Sequence, residues 1–181
     1  MKKLLFLIAV LLLAANAKAQ MYMGGNVGIA SYDNGDSKKV VYSLLPEVGY
    51  TFNENWAAGV VVGWSKGNLS SQGNLRVDDD RLTRTFEISP YARYTFLNAG
   101  PVDIFCDCSA GYRHYNGDGD QLSIGLKPGL SLNLNGVFSV VAHVGFIGFQ
   151  EYNPSGNQKS VDIWGMDFDS NNISLGVYYN F

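Results

Sequence analysis

Residues 121–134 read QLSIGLKPGLSLNL, so that Leu122, Ile124, Leu126, Pro128, Leu130, Leu132 and Leu134 alternate with Ser123, Gly125, Lys127, Gly129, Ser131 and Asn133. Successive side chains of a β-strand point to opposite faces, and this run therefore has one wholly apolar face and one polar or glycine face. Its length, roughly ten residues or more, matches a tilted strand that crosses a bilayer. The same period recurs at the end of the chain, where Ile173, Leu175, Val177, Tyr179 and Phe181 share a face against Ser174, Gly176, Tyr178 and Asn180. It also recurs in Phe138, Val140, Ala142, Val144 and Phe146, in Phe86 to Phe96, in Leu44 to Phe52 and in Trp56 to Trp64. Two further strands, 21–32 and 102–115, carry blurred patterns, the first because of Gly24-Gly25 and the second because of Phe105. The pattern predicts an all-β chain of eight strands.

The connections alternate in length. Asn53-Glu54-Asn55, 97–101 and Asn135-Gly136 are short, the last a favoured hairpin pair, whereas 33–39, 66–84, 114–120 and 150–170 are long and polar. Three tight turns on one side and four loops on the other predict an up-and-down barrel with turns in the periplasm and loops outside. Phe52, Trp56, Phe96, Phe138 and Phe181 fall at the short-turn ends, and Trp64, Tyr112 and Trp164 toward the loop ends, as two interface girdles require. Pro46, Pro90 and Pro128 lie within strands and remove ladder donors, so they are expected at bulges or at the ends of a register.

Composition agrees with this reading. Twenty-one Gly, 11 Tyr and 10 Phe beside 16% charged residues suit strands, tight turns and aromatic belts, and a mean hydropathy near zero argues against a helical membrane protein. Met1-Lys2-Lys3 followed by the apolar run Leu4 to Leu13 and by Ala17-Lys18-Ala19 reads as a cleaved signal peptide over residues 1–19, leaving a barrel domain over 20–181. No Cys stands just after the cleavage point, which argues against a lipoprotein. Removing Lys2, Lys3 and Lys18 leaves 10 basic against 16 acidic residues, a formal charge of −6, and nucleic acid is not an expected partner. Cys106 and Cys108 point the same way along an extended strand, spaced poorly for a mutual disulfide and too few for a zinc site.

With the apolar face outward, the inward set contains Glu47, Glu87, Arg93, Asp103, Asp107, Arg113, Lys127 and His143. Burying this mixture of signs requires pairing. Counted from the short turns, Glu87 stands level with Arg113, Arg93 with Asp103 or Asp107, and Asp107 with Lys127, which predicts an ionic plug in a lumen too narrow for an aqueous channel. A soluble lipocalin-like or avidin-like barrel would have the opposite sidedness, with an apolar lumen and a polar outside.

The leader, the eight alternating strands, the alternation of turns and loops, and the closing run GVYYNF together resemble the small outer-membrane β-barrel domain family of the OmpA/OmpX type. The resemblance implies a transmembrane barrel of the bacterial outer membrane, in contact with lipid and lipopolysaccharide, with Tyr179 and Phe181 as the C-terminal signal presented to the barrel assembly machinery. It also implies a structural or surface-interaction role through the outer loops, toward an unknown surface ligand. The chain ends at Phe181, so a peptidoglycan-binding module of the OmpA kind is not expected.

Two alternatives need weighing: a narrow diffusion channel, and a lipid A-modifying enzyme resembling the palmitoyltransferase or deacylase families. His143 shares a face with Ser139 but reads as a lumen residue, and His114, beside Arg113 and Tyr115, lacks the His-x-Ser arrangement of the deacylase. No catalytic residue, cofactor or metal is expected. Asn116-Gly117-Asp118-Gly119-Asp120 spaces oxygen ligands like a calcium loop but lacks the later bidentate Glu. Asp78-Asp79-Asp80 with Arg76, Arg81 and Arg84 reads as a solvated loop able to meet lipopolysaccharide phosphates. The leader makes one direct prediction: protein purified from the outer membrane begins at Gln20 by intact mass, and a mature chain still carrying Leu4–Leu13 would refute the signal peptide.

Overall fold

The computed structural model describes residues 20–33, 38–66, 83–117, 119–156, 159–168 and 173–181; the expected leader lies outside them. Ten strand segments follow in order: β1 (Gln20–Asp33), β2 (Lys38–Thr51), β3 (Trp56–Lys66), β4 (Arg84–Ala99), β5 (Val102–Tyr115), β6 (Gly119–Asn133), β7 (Phe138–Val144), β8 (Phe146–Pro154), β9 (Val161–Asp167) and β10 (Ile173–Asn180). Each pairs antiparallel with its neighbour in sequence from β1 to β6, β7 and β8 succeed one another along β6, β9 and β10 lie beside β8 and β7, and β10 returns to β1. The ring is therefore a closed eight-stranded barrel in which β7–β8 form the seventh stave and β9–β10 the eighth.

One row of partners shows the tilt. Tyr22 faces Gly49, then Gly59, Tyr91, Ser109, Gly125, Gly148 and finally Gly165 in β9. Tyr22 itself pairs with Asn180 on that same stave. The offset between Gly165 and Asn180 is the stagger that tilted strands need to close a barrel.

The alternation seen in sequence becomes sidedness here. Leu122, Ile124, Leu126, Leu130 and Leu132 of β6 are exposed outward, while Gln121, Lys127 and Gly129 of the same strand are buried inward. Aromatic pairs mark both rims: Trp56 with Tyr94 and Phe138 with Tyr179 at the short-turn end, Trp64 with Phe86 and Phe149 with Trp164 at the loop end. The turns are closed by side chains: Asn53 Oδ1 accepts the N–H groups of Asn55 and Trp56 at 2.9 Å, and Asn135 Oδ1 accepts those of Val137 and Phe138 at 3.1 and 2.8 Å.

The prolines occupy interruptions. Pro46 stays in register with Gly25 of β1 where the β2–β3 ladder lapses between Leu44 and Glu47, and Pro90 stays opposite Val60 where β4–β5 lapses between Ile88 and Tyr91. Pro128 faces Cys106 where the pairing of β6 passes from β7 to β8. Each ring thus removes an N–H on the side where pairing has already paused.

Two expectations are corrected. Phe146 does not join the outward face of Phe138–Val144, because the register against β6 slips at Gly145 (φ 79°), a bulge that reverses the phase and buries the Phe146 ring in the lumen. Past the bulge the chain remains strand, so most of 150–170 is not loop but the paired segments β8 and β9. A Cβ at Gly145 would collide with the Asp167 carbonyl, whereas one at Gly136 (φ 78°) meets no neighbour. Gly145→Val is expected to cost about 2 kcal/mol or more, and Gly136→Ala only the left-handed backbone strain of about 1–2 kcal/mol. Urea unfolding midpoints in micelles check the order, and equal costs would show that the bulge imposes no constraint.

Candidate functional site in the barrel lumen

Inward positions on adjacent staves fall level, and the charged side chains meet there. Arg93 on β4 is the register partner of Asp107 on β5, and its guanidinium grips that carboxylate with two parallel bonds, Nε to Oδ1 at 2.7 Å and Nη2 to Oδ2 at 2.8 Å. His143 of β7 places Nε2 2.8 Å from Asp107 Oδ2, which fixes the ring proton on that nitrogen. The Arg93 guanidinium carbon lies 3.9 Å from the centre of the Phe105 ring, and that ring meets the His143 ring edge-on at 5.4 Å.

Glu47 of β2 gathers the tyrosines. Tyr91 donates to its Oε1, Tyr178 donates to Oε2 at 2.5 Å, and Arg93 Nη2 stands 3.8 Å away. Because the Tyr91 proton is committed to Glu47, Tyr22 is the donor in the 2.5 Å bond between the Tyr22 and Tyr91 hydroxyls. Nearer the loops, Arg113 of β5 bonds Glu87 of β4, its register partner, through Nε at 2.9 Å and Nη2 at 2.6 Å. Lys127 lies between the two layers, in register with Asp107. Among the described residues, the buried charged side chains besides His143 are three carboxylates, Glu47, Glu87 and Asp107, and three cations, Arg93, Arg113 and Lys127.

The rings fit because glycine stands opposite them. A Cβ at Gly49 would overlap the Tyr22 ring, one at Gly59 the Tyr91 hydroxyl and one at Gly129 the Phe105 ring. Below the Glu47 layer, at the short-turn end, a polar vestibule of about 450 Å³ opens, with Tyr22, Arg93, Phe105 and Tyr178 as its floor. Asp103 belongs to this vestibule: it is half-buried and accepts a 2.9 Å bond from Asn133, while Arg93 turns to Asp107.

The outer membrane protein beta-barrel domain family matches residues 4–181. The chain belongs to this family. It is accordingly a barrel of the bacterial outer membrane. No curated protein matches it. Among solved structures, it is similar to Neisserial surface protein A, at 14% identity with a TM-score of 0.48, covering 90% of this chain and 96% of that one. It is also similar to the Yersinia pestis outer membrane protein Ail, at 16% identity with a TM-score of 0.47, covering 90% and 99%.

The remaining candidates of this family member lie apart from the lumen. Cys106 and Cys108 are free thiols on the outward face. His114 Nδ1 and Tyr112 Oη lie 2.6 and 2.7 Å from Asp120 Oδ1, so that carboxylate is engaged within its own exposed hairpin. Arg84 opens β4, whereas Arg76, Asp78–Asp80, Arg81 and Asp118 lie outside the described residues. Sequence reasoning did not single out Tyr22, Tyr178 or Phe105 as lumen groups; the signal was the placement of aromatic rings at inward positions whose neighbours are glycine.

Removing one partner of a buried pair strands the other in low dielectric, at about 3–5 kcal/mol. Arg93→Met is therefore expected to lower barrel stability by that amount in urea unfolding, and Arg93→Met with Asp107→Leu to recover part of it. Additive losses in the double variant would show that the two groups are not coupled.

Proposed function

We propose that this barrel is a closed, non-conducting outer-membrane protein that acts as a structural and surface-interaction element through its outer loops. The observation that supports the reading is the hydrogen-bonded interior network of Tyr22, Glu47, Tyr91, Arg93, Asp107, His143 and Tyr178, contributed by six strand segments. In a barrel of eight strands the side chains fill the interior, and a hydrogen-bonded layer of paired charges presents a hydrated ion with neither a path nor free ligands.

The partners in this reading are outer-leaflet lipid and lipopolysaccharide around the barrel, a surface ligand at the loops and the assembly machinery at the C-terminus. Phe181 stacks edge-on against Tyr179 at 4.9 Å on the lipid side, which supports a role for the terminal aromatics as a presented signal. Neither His143 nor His114 serves as a base in this reading, since each faces a carboxylate within a structural network.

Planar-bilayer recording tests the proposal. The refolded protein is expected to give no discrete steady openings, and lipid A mass spectra are expected to be unchanged by deletion of the gene. Discrete openings that vanish in Glu87→Gln or Arg113→Gln would replace this reading with that of a channel, and an altered lipid A spectrum would replace it with that of an enzyme.

A further inference from the structure

The vestibule at the short-turn end has a volume of about 450 Å³, within the roughly 300–1,000 Å³ of small-molecule sites. Unlike most such sites, it has polar walls. Register carries the polar side chains from stave to stave: Asn98 of β4 faces Asp103 of β5, which faces Ser131 of β6, and Asn133 at the end of β6 faces Ser139 of β7. All five line the cavity, together with Thr51 of β2. Neutral amides and hydroxyls, which can both donate and accept, thus outnumber the two carboxylates of the lining, Asp103 and Glu54.

The floor supplies a fixed donor. Arg93 is more than nine-tenths buried, commits Nε and Nη2 to Asp107, and is stacked over the Phe105 ring. Nη1 has no hydrogen-bond partner among the described residues and is not one of their enclosed orphan atoms, and Arg93 lines the vestibule. Two N–H donors on a rigid guanidinium therefore remain for a ligand. The charge of that guanidinium is already answered by Asp107 and by Glu47 at 3.8 Å. An anion accordingly gains little there and must pass Asp103 and Glu54. A cation leaves the Arg93 donors unmet, and it finds Asp103 already bonded to Asn133 and Glu54 exposed to screening solvent. A neutral acceptor suits the donors best. The rings of Tyr22, Phe105 and Tyr178 complete the floor, and the electron-rich faces of such rings attract polarised C–H groups.

We propose that the vestibule is a binding site for a neutral saccharide. A hydroxyl or acetamido carbonyl of the sugar accepts from Arg93 Nη1, further hydroxyls exchange bonds with Asn98, Ser131 and Thr51, and one C–H face of the ring lies on the aromatic floor. Access from the periplasm rests on the loops-out orientation proposed above, whereas the binding chemistry does not.

The test uses the refolded mature barrel in phosphatidylcholine nanodiscs, which leave both ends open, titrated separately with diacetylchitobiose, maltose, glucuronate and spermidine and followed by NMR. Conductance plays no part in this readout, so its failure is separable from failure of the proposed function. At least one of the neutral disaccharides is expected to shift the backbone amides of Asp103, Ser131 and Ser139 saturably and to leave those of Arg113 and Gln121 unmoved. Glucuronate and spermidine are expected to bind more weakly by about tenfold or more, since neither satisfies the Arg93 donors without a charge penalty. Ser131→Leu, which fills the cavity apart from the ion pairs, is expected to abolish binding. Arg93→Lys, which keeps a cation beside Asp107 but removes Nη1, is expected to weaken it about tenfold, the worth of one hydrogen bond from a charged donor. Heat-modifiable gel mobility checks the folding of both variants, and Ser131→Leu decides where Arg93→Lys does not fold. No saturable shift with either disaccharide, tighter binding of glucuronate or spermidine, or unchanged binding by Ser131→Leu would overturn the site.

Discussion

Hydrocarbon offers no hydrogen bond to a peptide group, and this one constraint organises the molecule. Eight staves joined antiparallel satisfy the backbone only by closing on themselves, and closure at this strand number leaves a narrow interior lined by inward side chains. Alternate residues then face lipid or lumen with nothing between. The outward set is free to be Leu, Val and Ile, while the inward set must pair its own charges and match ring to glycine, as Tyr22 does with Gly49 and Phe105 with Gly129.

The interior ion pairs do more for register than for net stability. A buried pair is often no better than well-fitted apolar side chains, because desolvation offsets the Coulomb gain. A slip of one residue, however, would send every inward side chain to the lipid face. For β4 that would expose Glu87 and Arg93 to hydrocarbon, and for β5 Asp107 and Arg113. The cross-strand pairs Arg93–Asp107, near the middle of the two strands, and Glu87–Arg113, toward their loop end, hold one alignment against its neighbours. Between them, the interruption at Pro90 is bridged by side chains.

Much of this was legible because period-two alternation and the turn positions together define height and face. Face and approximate height place Glu87 near Arg113 and Arg93 near Asp107, whereas the exact pairing also depends on a one-residue register shift between Thr95 and Leu97 that the count from the turn does not contain. What was not legible arises where the count itself changes. Gly145 inserts one residue opposite β6, which carries Phe146 from the lipid face to the lumen and lets strand continue through 146–154 and 161–167. Nothing in the local composition separates such a bulge from an ordinary strand glycine, since Gly125 and Gly129 stand in uninterrupted β5–β6 register. The tyrosine cluster around Glu47 was hidden for another reason. Its members come from β1, β2, β4 and β10, and a hydroxyl that reaches across the lumen leaves no trace in neighbour-to-neighbour height counting.

That cluster has a structural consequence at the seam. First and last staves share only four register pairs, the shortest junction in the ring, all of them toward the short-turn end. Tyr178 of β10 nevertheless reaches past β1 to Glu47 of β2, and Tyr22 of β1 reaches Tyr91 of β4, which holds the other oxygen of the same carboxylate. Glu47 therefore ties the two sides of the junction from within, at the level where the backbone ladder ends. These bonds to one carboxyl group add side-chain links across a junction whose ladder has only four pairs. Closure of the ring is thus reinforced from the lumen side.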